Sequence, residues 1–225
     1  MAANGDNLGK NWLKVLDSGQ GQIDRLATLT DGVFAVAMTL LVIEIHPPAD
    51  WDGTIYGLGR DLFVAIAAYA TTFLIVVTMW IQLRRILALL KSIDGMATGL
   101  VLFNLAMIGL VPSAVKLQLF YQAQATSLLI YGGVVIALTA ASTLLWIYAA
   151  VLAGLVKDEV PVQYRQGYAV MQVLTLASGV CALNSVLSPE WTLVQDQVNL
   201  PWLAGACVLL LGSLRARKSS LSTST

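Results

Sequence analysis

Six long apolar runs separated by short polar breaks organise the chain, at about 28–46, 62–83, 97–115, 127–153, 167–188 and 200–214. A hydrocarbon core about 30 Å thick is crossed by about 20 apolar residues in a helix. In lipid a lone segment satisfies its own backbone groups only as a helix. The pattern therefore predicts an all-α, polytopic membrane protein with six transmembrane helices. The breaks have suitable chemistry. His46-Pro47-Pro48 stops the first run, because proline lacks the amide proton and disfavours a helical residue before it. Lys157-Asp158-Glu159-Val160-Pro161 and Ser188-Pro189-Glu190 punctuate later boundaries in the same way. Pro112 is expected to break the third run near its end.

Composition strengthens this reading. Hydrophobic residues make up 57% and charged residues 12%, against roughly a quarter charged in a soluble domain, so little chain is left for an extramembrane domain. Residues 1–24 are polar and carry no apolar signal-peptide core, and the first apolar run is expected to be retained. The expected organisation is a cytoplasmic N-terminal segment over 1–24, a six-helix transmembrane domain over 25–214, and a disordered, Ser/Thr-rich cytoplasmic tail over 215–225.

The placement of charge gives orientation. Lys and Arg are held on the cytoplasmic side of short loops. With the N-terminus inside, all but Arg60 and Lys116 of the 13 basic residues fall on the cytoplasmic side, while Asp50, Asp52, Asp61, Glu190 and Asp196 collect opposite. Both termini are then cytoplasmic and the protein is a multi-pass component of the cell membrane. A net charge of zero argues against nucleic acid as a partner. No His cluster, nucleophile elbow or pair of carboxylates stands out, so an enzyme is not expected. Cys181 and Cys207 each sit in an apolar stretch and are read as small buried thiols. The tryptophans at 12, 51, 80, 146, 191 and 202 fall near span ends, where interface anchoring accounts for most of them. His46 before two prolines is read as a helix-end residue rather than a proton sensor.

The first span carries the candidate chemistry. Asp31 lies close to its start, and an ionisable group at membrane depth faces protein or a water-filled cavity and has a partner. Arg25 is one candidate partner. Thr28-x-x-Asp31 equally fits a capping box at a helix N-terminus. Val36, Thr39, Leu40 and Ile43 share one helical face at i, i+3, i+4 and i+7. Periodicity alone does not distinguish a pore lining from a lipid-facing row. Gly32 and Ala35 offer a small-residue face for close helix packing.

The stretch 25–48 resembles the first helix of the endolysosomal potassium channel family and its prokaryotic relatives, whose signature is Arg-x-x-x-Phe-Ser-Asp followed by an aliphatic helix. Arg25 and Asp31 hold their places, Thr30 keeps the hydroxyl, and Leu29 replaces the aromatic ring. Weaker likeness continues through Trp80 before Arg84-Arg85, Asn104 and Pro112. Where relatives carry histidines after the tryptophan, this chain has Gln82, Leu83 and Arg84, so a network bracing the signature helix is either rebuilt or absent.

The resemblance implies a single-repeat, six-helix subunit that forms a homotetramer, with the first helix of each copy lining a central pore. It places the constriction and selectivity at Val36, Thr39, Leu40 and Ile43, the organising signature at Arg25, Thr30 and Asp31, and a supporting network at Trp80 and Asn104. The implied activity is a potassium-permeable cation channel needing no cofactor or metal beyond permeant potassium. Its partners are its own copies, the bilayer and monovalent cations. The chain has no Thr-Val-Gly-Tyr-Gly loop, so a dry apolar ring with a hydroxyl layer would have to select ions. Acidic outer loops at Asp50, Asp52 and Asp61 would concentrate cations at the mouth. A small proton- or cation-coupled transporter using Asp31 is the rival reading.

Overall fold

A computed structural model describes residues 19–45, 54–121 and 124–186 of the chain. These residues form five helices, each long and apolar enough to cross a membrane: α1 (Gly19–Ile43), α2 (Ile55–Leu89), α3 (Gly95–Phe120), α4 (Ala125–Ile147) and α5 (Val162–Val186), with a π-helical turn, Tyr148–Leu152, prolonging α4. Among the described residues there is no strand, only one isolated bridge between Leu90 and Val156. The first five apolar runs thus become helices. The sixth, 200–214, lies outside the described residues, as do His46, Asp50, Asp52, Cys207, the tryptophans at 12, 51, 191 and 202, and the side chain of Asp61.

The helices outrun their apolar stretches. α1 starts at Gly19, within the segment expected to precede the membrane, because polar residues such as Gln20 and Asp24 are good company for a helix end that leaves the lipid. Gln20 and Asp24 are bonded one turn apart (3.4 Å). Pro112 does not break α3, which continues to Phe120. One missing backbone bond is outweighed there by a dense buried face of Ile108, Val111, Pro112, Ala114 and Val115, and neighbouring helices shelter the interruption.

The core lies between α3 and α4, the most enclosed of the helices. Ile108, Val101, Leu138, Leu145 and Trp146 are fully buried there. Asn104 on α3 donates to the Leu138 carbonyl (3.2 Å) and to the Ser142 hydroxyl of α4 (2.7 Å). α2 joins this pair through Thr72 and Tyr131 (3.2 Å). Gln82 of α2 also donates to Gln172 of α5, whose carbonyl further accepts from Thr143 of α4 (3.3 Å). Buried polar groups need such partners, and helices in lipid gain association from them. α5 approaches α4 closely at Gly132, where a Cβ would stand 2.6 Å from Leu183.

At the basic end of the bundle two connections are stitched together. Lys91 donates its amide to Leu155 (2.8 Å), and Lys157 donates its own to Leu89 (3.0 Å). The Lys91 ammonium meets Asp158 at 2.9 Å. The turn after the π segment uses Gly154 at φ 60, a left-handed conformation that glycine adopts without a Cβ penalty. Asp94 caps α3, accepting from the Ala97 amide (2.8 Å) and from the Tyr148 hydroxyl. The Tyr148 hydrogen bond and the Ala97 amide hold the Asp94 carboxyl below the usual carboxylate range. Trp146 donates to the Arg165 carbonyl (3.1 Å) and meets Tyr168 edge to face at 4.8 Å. It is a core residue rather than an interface anchor, because its ring is enclosed by α4 and α5 while its one donor finds a backbone acceptor. Cys181, read as buried, is exposed on α5 of the single chain, since it points away from the face carrying Gln172, Gly179 and Ala182.

Candidate functional site

α1 has two unlike faces. Ile23, Thr30, Phe34, Ala37 and Leu41 are buried against α2 and α3. Directly opposite, at about 100° per residue, lie Arg25, Leu29, Gly32, Val36, Thr39, Leu40 and Ile43, all exposed. The contrast is sharp: Phe34 is 0% and Leu41 1% exposed, whereas Val36 is 57% and Ile43 61%. The four residues grouped by helical spacing therefore lie together on the face that this subunit leaves uncovered. Thr39 donates its hydroxyl proton to the Val36 carbonyl one turn back (2.8 Å), which leaves the oxygen lone pairs as the part available to a visitor. Gly32 has open space around its Cβ position.

Asp31 sits in the interior of α1, not at its start. Thr28 consequently caps nothing and instead donates its hydroxyl to the Asp24 carbonyl (2.9 Å), the back-bonding habit of a mid-helix threonine. The capping-box reading fails because α1 begins at Gly19. Arg25 is not the partner of Asp31 either, since it points out on the uncovered face. Asp31 is held by α2: the Trp80 indole donates to Oδ1 (2.8 Å) and the Arg84 guanidinium donates to Oδ2 (2.7 Å). Arg84 also lies 6.0 Å from the Trp80 ring centroid, near the limit of cation–π attraction. Both carboxylate oxygens are thus engaged by charge-assisted or indole donors.

Trp80 joins Asp31; Asn104 does not, being committed to Leu138 and Ser142 on the far side of the core. Thr30 is fully buried, and its hydroxyl finds no hydrogen-bond partner. Arg84 is the residue missed by the motif. The available signal was its spacing, four residues beyond Trp80 and on the same helical face. At the opposite end of α1, Glu44 meets Lys116 of α3 at 3.4 Å.

Residues 25–112 match the family model of the endosomal/lysosomal potassium channel TMEM175. That match spans 88 of the 225 residues and holds α2 whole and α1 and α3 in part. It is 28% identical to a potassium channel of Chamaesiphon minutus, over 74% of this chain and 93% of that one. It is also 28% identical to a potassium channel of Streptomyces collinus, over 54% of this chain and 62% of that one. A crystal structure of a lysosomal potassium-selective channel TMEM175 homologue from Chamaesiphon minutus has the same fold. It superposes with a TM-score of 0.67 at 21% identity, covering 87% of this chain and 98% of that chain. The TMEM175 family is one of ion channels, not of enzymes, and its matched region here contains the uncovered face of α1 together with Asp31, Trp80 and Arg84. With five apolar helices among the described residues and this likeness, the chain is a multi-pass membrane protein.

Proposed function

We propose that this chain is a potassium-permeable cation channel of the cell membrane in which four copies of α1 surround a central path. Val36, Leu40 and Ile43 form its dry constriction, and Thr39 its hydroxyl layer. The observation that carries this reading is the uncovered apolar stripe of α1, lying opposite the buried face in a helix that matches the potassium-channel family model. An apolar ring gates by dewetting, and ions pass when it widens or when nearby dipoles offset the lost hydration. Thr39 supplies such a dipole with its oxygen free, since its proton is spent on the Val36 carbonyl. Four symmetric copies would turn one hydroxyl into a ring. Permeant potassium is the only ion the reading needs, and no cofactor enters it.

The Asp31 carboxylate supports a channel over a coupled carrier. A carrier needs a carboxylate that is free to exchange its proton or cation, and both oxygens of Asp31 are taken by Trp80 and Arg84. The signature residues Arg25, Thr30 and Asp31 are accordingly assigned to organising the inner end of α1 rather than to binding ions. Arg84, Lys91, Lys157 and Arg165 gather at the end where the two connections are stitched, which argues for that end, and with it both termini, on the cytoplasmic side. Purified protein in liposomes loaded with potassium tests the proposal. Potassium efflux exceeding sodium and proton flux, without any coupled gradient, is expected; flux that saturates and demands a second gradient would assign a carrier.

A further inference from the structure

The uncovered stripe of α1 is bracketed by two ion pairs that tie the helix to different neighbours. Below it, Asp31 is joined to Arg84 of α2 at 2.7 Å. Above it, Glu44, in the turn just after Ile43, is joined to Lys116 of α3 at 3.4 Å. The two acids are separated by about 20 Å along the axis at 1.5 Å per residue. At about 100° per residue they leave α1 on opposite flanks of the buried face that contains Phe34 and Leu41. One fastening pulls the helix surface toward α2 and the other toward α3, so rotation in either direction stretches one of them. The buried face resists rotation weakly on its own. Ala37 at its centre is small, and the apolar surroundings of a membrane helix provide little hydrophobic bias between faces.

We propose that Arg84 and Lys116 are positioning residues for the conduction path. They touch no permeant ion. Acting through Asp31 and Glu44, they set the rotation at which Val36, Thr39, Leu40 and Ile43 present themselves to the axis. This rests on the reading of that stripe as the lining of the path and deepens it. The Arg84 guanidinium suits the part because it offers a fork of donors and stays charged at every accessible pH. Neither side chain is buried enough to be a core element: Arg84 is 46% and Lys116 51% exposed. Their contribution is therefore orientation rather than bulk stability.

The test is a cysteine-accessibility scan of the full chain in liposomes, with Cys181→Ser and Cys207→Ser as background. Single cysteines replace Ala35, Val36, Met38, Thr39, Leu40, Val42 and Ile43, and a charged thiol reagent is applied while potassium flux is followed. With Arg84 and Lys116 intact, modification at 36, 39, 40 and 43 blocks flux fastest. Around the helix the scanned positions run in the order 38, 42, 35, 39, 43, 36, 40. Arg84→Gln and Lys116→Gln should shift the fastest modification along this order in opposite senses, toward 35 and 42 in one and toward 36 and 40 in the other, by about threefold, the scale of a half-exposed ion pair, while Arg84→Lys keeps the original pattern. If the stripe positions block flux but the pattern stays fixed in both Gln variants, the fastening is overturned and the path reading stands. If no stripe position blocks flux in the parent protein, the path reading fails and takes this inference with it. Should Arg84→Gln not accumulate, Lys116→Gln and Lys116→Glu decide the matter alone, because the outer fastening predicts a shift of the pattern in its own sense.

Discussion

The α3–α4 pair and α1 are both membrane helices of similar apolarity, yet they are built to opposite ends. α3 and α4 bury residues around much of their circumference and exchange side-chain bonds through Asn104, Leu138 and Ser142. α1 buries one stripe and leaves the other bare, with charges at its flanks doing the holding. The difference separates holding from presenting: one pair keeps the bundle together, while the loosely invested helix is left with a bare surface, to which the proposed function gives the selection of ions. In lipid this division is natural, because association depends on packing and polar contacts rather than on hiding apolar area.

The harshest way to break the comparison is to damage the invested side. Trp146→Ala removes a fully buried ring, its hydrogen bond to Arg165 and its edge contact with Tyr168. A loss of about 3 kcal/mol or more is expected, as for large buried aromatics truncated to alanine. Thermal unfolding in detergent, followed by monodisperse fraction on size exclusion, measures it. Retention of parental stability would place the fold's strength elsewhere than in the α4–α5 packing.

Next in size comes the link between the two regions. Asp31→Ala leaves Arg84 without its counter-ion and the Trp80 indole without its acceptor. Leaving such groups unmet costs about 1–3 kcal/mol when they are buried, and less here because the pair is about half exposed to its surroundings, where screening weakens it. The expected signature is loss of assembly or of opening, with ion preference little altered among the channels that remain. Asp31→Asn keeps one oxygen for Trp80 and should be milder. Intact assemblies carrying only a changed potassium-to-sodium ratio would reverse the roles assigned to Asp31 and the stripe.

How far the sequence foretells this division varies residue by residue. Apolar runs report the solvent directly, so five of the six expected helices can be matched to α1 through α5. The uncovered stripe of α1 is legible as a face, because helical period is local. Its orientation relative to the core is not, since every side of an apolar helix looks alike until its neighbours are known. From sequence, Arg84 reads only as a marker of the cytoplasmic side. Its partnership with Asp31 spans 53 positions, which no local spacing encodes. Pro112 and Trp146 mislead for the same reason: the packing that carries α3 through the proline, and that encloses the indole, comes from other helices.

A smaller effect is expected at the cap joining α3 to α4. Asp94 has a carboxyl held below its ordinary value of 3.8, chiefly by the Tyr148 hydroxyl and then by the Ala97 amide. A depressed folded value means that the stabilisation is fully present above pH 3.8 and is lost as pH falls through the folded value. Asn serves nearly as well as an N-cap, so Asp94→Asn should cost only about 0.5 kcal/mol near neutrality, given how exposed the site is. The gap in melting temperature between variant and parent should close below pH 3.8. A gap that widened on acidification would mean that the protonated carboxyl is the better cap.

The smallest expected effect on the fold falls on the stripe, and it is there that the comparison is sharpest. Val36→Ala deletes two methyl groups from a side chain that is 57% exposed within its own subunit. It also relieves the χ1 restriction of a β-branched residue in a helix. Thr39→Ala deletes a hydroxyl whose only bond is to its own helix and installs the best helix former. Both variants should therefore fold within about 0.5 kcal/mol of the parent. Their effect should instead appear in flux: a wider dry ring for Val36→Ala, and the loss of the oxygen layer for Thr39→Ala, each altering the relative passage of sodium and potassium. Unchanged stability with unchanged permeability at both positions would leave the stripe facing lipid. A marked loss of stability at either would mean that a partner copy packs against the stripe tightly, and that the path runs elsewhere.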